Sequence, residues 1–93
     1  MLTFQQKRAV FSSFPELTET RGSNGRINYE YRGSKRQRKM LARELVESGN
    51  GYVLGRYMDG YRLDSRGWIN IKNFDEEELI AVITKAIKSM ARP

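Results

Sequence analysis

Neither cysteine nor histidine occurs among the 93 residues. The first absence excludes disulfides, thiolate metal sites and cysteine nucleophiles. The second excludes zinc held by imidazole and acid–base catalysis by histidine. Long apolar runs are missing as well. No segment reaches the ~18 consecutive apolar residues of a membrane span, and Lys7 and Arg8 interrupt any signal-peptide core near Met1. These absences predict a cytoplasmic chain, complete from Met1, with no membrane partner, metal or cofactor. Apolar content is thin: Leu, Ile, Val and Phe make up 21 residues, just above the roughly 20% below which a charged chain stays unfolded. A small core is attainable, whereas a deep cavity would consume much of it. The length fits one domain spanning 1–93, given that domains hold roughly 100–150 residues.

What the sequence has in excess is positive charge. Lys and Arg number 17 against 11 Asp and Glu, a net charge of +6 with an isoelectric point near 9.9. The excess is uneven. Residues 33–47 carry five cations against two carboxylates, while 75–93 carry three against four.

Local patterns predict the order α-β-β-α-β-β-α. Thr3 and Gln6 form a capping box, Phe4, Val10, Phe11 and Phe14 share a helical face that also carries Lys7, and Pro15 ends the helix, giving about 4–13. Leu17–Arg21 and Arg26–Arg32 flank Gly22-Ser23-Asn24-Gly25, a turn sequence that tolerates positive φ, and thus read as a hairpin. Ile27, Tyr29 and Tyr31 alternate with polar residues, the signature of a sheet covered on one side. Tyr52–Met58 and Trp68–Asn73 read as further strands, with Asp59-Gly60 and Asp64-Ser65-Arg66-Gly67 as turns. In the last helix Asp75 caps, Glu78 completes the box, and Leu79, Ile80, Ile83, Ala86, Ile87 and Met90 recur at helical spacing. Hairpins interspersed with helices define an α+β fold, an antiparallel sheet with helices packed on one face.

Between the two hairpins a second helix is expected. Ser34 and Gln37 make a capping box, Leu41, Ala42, Leu45 and Val46 supply an apolar face, and Gly49 stands at the C′ position. Its start is unusual. Ser34-Lys35-Arg36-Gln37-Arg38-Lys39, preceded by Arg32, puts cations where the helix dipole is already positive, at about 0.3–1 kcal/mol each. Free backbone N–H groups, a Ser hydroxyl and converging Lys and Arg are what a phosphate requires. The candidate nucleic-acid-binding residues are accordingly Arg32, Ser34, Lys35, Arg36, Arg38, Lys39 and Arg43. The plainer alternative is a solvated helix face with Arg43 and Glu47 paired.

Tyr29, Tyr31, Tyr52, Tyr57 and Trp68 lie in strand-like runs and add a weaker expectation of base stacking. The glycine-rich segments fit no phosphate-loop pattern. Asp59 and Asp64 sit in turn contexts, and Ser12 and Ser13 lack a histidine partner, so no catalytic constellation emerges and an enzyme is not expected. The sequence therefore favours a small module binding the phosphate backbone of DNA or RNA. The competing reading is a non-catalytic interaction or regulatory module with an acidic protein partner.

Overall fold

A computed structural model describes residues 2–93. Its elements are α1 (Phe4–Ser12), β1 (Leu17–Arg21), β2 (Ile27–Tyr31), β3 (Met40–Leu45), β4 (Tyr52–Leu54), β5 (Trp68–Asn70) and α2 (Glu76–Met90). The five strands form one antiparallel sheet in chain order, each hydrogen-bonded to the next. The α+β class holds, with two helices rather than three.

Both helices start as their sequences dictate. Thr3 Oγ1 accepts the Gln6 N–H at 3.1 Å while Gln6 Oε1 accepts that of Thr3 at 2.8 Å. Asp75 and Glu78 reciprocate in the same manner at α2. Each box satisfies two N-terminal donors that have no partner within the helix. Phe11 of α1 stacks on Tyr29 of β2, with centroids 4.4 Å apart and rings within 9° of parallel. From α2 the core receives Leu79, Val82, Ile83, Ala86 and Met90, whereas Ile80, expected in the stripe, is 42% exposed.

Lys7, within the apolar stripe of α1, is fully buried. Its Nζ donates to the carbonyls of Gly49 and Lys72, tying α1 to the β3–β4 turn and to the segment before α2. Burial pushes its pKa down, and the Lys72 cation adds to that effect.

The β1–β2 turn forms at Gly22–Gly25, where Asn24 and Gly25 take positive φ of 59° and 73°. The helix expected after it does not exist. Residues 32–39 form a loop closed by the Tyr31 N–H donating to the Lys39 carbonyl at 2.7 Å, and Met40–Leu45 is a strand. Gly49, assigned as a helix C′ residue, instead takes φ 88° in the turn between β3 and β4. The order is therefore α-β-β-β-β-β-α.

Two bulges explain the misleading pattern. Tyr29 pairs with Ala42 but Glu30 pairs with Met40, leaving Leu41 as an extra residue. Ile27 pairs with Leu45, so β3 gains another residue around Glu44, which has φ 58° and donates its N–H to Asn28 Oδ1 at 3.0 Å. Each bulge sets two residues of β3 against one of β2 and resets the alternation. The buried positions become Leu41, Ala42 and Leu45. That is the i, i+1, i+4 spacing of a helix, produced here by an irregular strand.

Candidate nucleic-acid interface

The basic loop 32–39 is docked on the C-terminal end of α2. The Lys35 N–H donates to the Met90 carbonyl at 2.7 Å. Buried Ser34 donates its hydroxyl to the same carbonyl at 3.4 Å and accepts the Arg36 N–H at 3.0 Å. Arg36 Nε donates to the Ser89 carbonyl at 3.2 Å. Carbonyls at a helix C-terminus lack partners within the helix and carry its negative partial charge. The cations that the sequence placed at an unfavourable helix start thus sit at a favourable helix end. Ser34 organises a turn rather than capping a helix.

Neutral groups hold these side chains. The guanidinium carbon of Arg36 lies 4.3 Å from the centre of the Tyr57 ring. Those of Arg43 and Arg38 lie 4.4 and 6.0 Å from that of Trp68. Lys39 Nζ donates to the Ser34 carbonyl. Among the described residues, Lys35, Arg36, Arg38 and Lys39 form no ion pair. Arg32 contacts Glu30 at 3.4 Å with its side chain 70% exposed, and Arg43 Nε lies 3.6 Å from Glu44. Rings and carbonyls orient a cation without cancelling its charge.

Two cations elsewhere, Arg8 and Arg26, are paired with carboxylates. Arg8 makes a two-pronged pair with Glu19, which also accepts the Tyr29 hydroxyl at 2.9 Å. The Arg8 hydrogen bond is the main cause holding the Glu19 carboxyl below its ordinary pKa. Arg26 pairs with Glu44 at 2.8 Å.

Strand register puts Arg43, Tyr52 and Asn70 on one side of the sheet, and Trp68, two residues before Asn70, shares it. Among the described residues, Arg43 Nε and Trp68 Nε1 are buried donors without a hydrogen-bond partner. The stacking expectation loses two of its aromatics. Tyr29 is buried against Phe11, and Trp68 is 2% exposed beside Arg43. Asp64 serves its turn, accepting the N–H groups of Arg66 and Trp68 at 2.8 and 3.0 Å. The Trp68 hydrogen bond is the leading cause of its lowered pKa.

The sequence thus identified the cationic cluster but missed its support, because the contacts from Ser34 and Arg36 to α2 span more than fifty residues. Comparison with protein-family models, curated proteins and solved structures finds no match.

Proposed function

We propose that the protein is a nucleic-acid-binding module that contacts phosphate backbone through loop 32–39 and the adjoining Arg43. The observation that carries this reading is the neutral anchoring of the cluster. Lys35, Arg36, Arg38 and Lys39 stand within five positions of one loop, anchored by backbone and rings instead of carboxylates. Their field is therefore uncompensated locally, and polyanions are its natural ligands. Arg36 is held in advance, which reduces the ordering cost of binding. Covered aromatic faces at Tyr29 and Trp68 favour backbone contact over base stacking.

The test is absorbance at 260 against 280 nm on freshly purified protein before and after a high-salt wash, followed by titration with DNA and RNA at low salt. Co-purifying nucleic acid removed by salt, and saturable binding afterwards, is the expected result. A clean spectrum with no binding to either polymer overturns the reading and leaves an acidic protein as the partner.

A further inference from the structure

A second group of cations lies at and just beyond the C-terminal end of α2. Lys85 and Lys88, three apart, lie on one side of α2, and Arg92 follows two residues beyond Met90, its last residue. With Tyr57, Met58 and Asp59 they line an open depression of about 250 Å³. All three cations are exposed, and none forms an ion pair among the described residues. Lys85 lies 5.2 Å from the centre of the Tyr61 ring, another cation set beside an aromatic face. Cations near a helix C-terminus complement its partly negative end, and Lys85, Lys88 and Arg92 stand there. The structure removes part of that need, because Lys35, Ser34 and Arg36 already occupy the Met90 and Ser89 carbonyls.

The two cationic groups meet at Tyr57, whose ring lies against Arg36 of the loop and which also lines the α2 depression. We propose that the depression is a second phosphate-contacting subsite, continuous with the loop. One polynucleotide backbone runs from loop 32–39 past Tyr57 onto the face of Lys85, Lys88 and Arg92. This rests on the reading above. Occupied terminal carbonyls repel a phosphate less than free ones, so an anion can lie beside the end of α2. Asp59 is the one carboxylate in the lining and opposes that anion.

The experiment compares wild type, K85A/K88A/R92A, K35A/R38A and D59N, with matched melting points as the check on folding. Each is titrated with a 20-nucleotide single strand and a 20-base-pair duplex between 50 and 200 mM salt. If one backbone spans both groups, the α2 triple variant binds at least tenfold more weakly. The magnitude of its salt slope falls by about 2, since each phosphate contact contributes roughly 0.7–0.9. D59N binds more tightly. An α2 variant with wild-type affinity and slope, beside a weakened K35A/R38A, overturns the second subsite and leaves the loop reading intact. Loss in the α2 variant alone removes the loop and the continuity. No binding by wild type removes both.

Discussion

Arg36 lies with its guanidinium carbon 4.3 Å from the centre of the Tyr57 ring, while its Nε donates to the Ser89 carbonyl. One loop residue thereby joins the segment after β4 to the end of α2. The cationic loop is consequently part of what holds the fold together, and its charges have the sign that the adjacent helix end favours.

Replacing Lys35 and Arg36 with Glu should therefore destabilise the free protein. Charge at a helix end contributes about 0.3–1 kcal/mol per residue, and the Arg36–Tyr57 contact about 0.5–1 kcal/mol. The expected loss is roughly 1–3 kcal/mol in chemical denaturation at low salt, shrinking at moderate salt. A gain in stability would mean that these residues open a helix.

Lys7→Met leaves the Gly49 and Lys72 carbonyls without their buried donor. At about 1–3 kcal/mol for each unsatisfied group, the variant should lose roughly 2–6 kcal/mol near neutral pH. The pH dependence has a definite sign. The folded state lowers the Lys7 pKa from 10.5, so the unfolded chain binds more protons between the two values. Wild-type stability should rise with pH across that window relative to the variant. Burial and the Glu19 contact raise the Tyr29 pKa above its ordinary 10.0 and impose the opposite trend at higher pH. That trend is common to both proteins and cancels in their difference.

Glu19 governs the acid side. Its folded pKa lies below the ordinary 4.5, chiefly through the Arg8 hydrogen bond, so its contribution is present above that value and lost as pH falls through the lowered one. E19Q should be less stable at neutral pH and lose less stability on acidification. Denaturant midpoints between pH 7 and 3 check this, and parallel curves would count against it.

Glu44 combines a left-handed backbone with ion pairs to Arg26 and Arg43. Glycine removes a backbone cost of about 1 kcal/mol, while each surface pair contributes up to ~1 kcal/mol. E44G should remain within about 1 kcal/mol of wild type and bind polyanions more tightly, because Arg26 and Arg43 both lose a paired carboxylate. Denaturation and filter binding read the two effects separately.

The elements that were legible in the sequence are those whose cause is local. Thr3 with Gln6 and Asp75 with Glu78 mark helix starts within four residues, and Gly22–Gly25 marks a turn. The error at 34–48 arose where local rules conflicted with register. Bulges at Leu41 and Glu44 gave β3 a helical spacing, and Ser34 with Gln37 imitated a cap. The candidate residues remained close together because they are neighbours in sequence. Their attachment to Ser89 and Met90, and the meeting with Lys85, Lys88 and Arg92 at Tyr57, depend on long-range packing that no local pattern encodes.

The most direct measurement is the slope of log K against log salt for a 20-nucleotide strand, in wild type and in K35A/R38A. Both substituted side chains are exposed, and neither is in the buried core, so the comparison removes charge with little loss of packing. Four unpaired loop cations predict a wild-type slope of about −3 or steeper, and the variant should lose roughly 1.4 of its magnitude. A wild-type slope near zero, or the same slope in both proteins, would contradict phosphate binding by this loop.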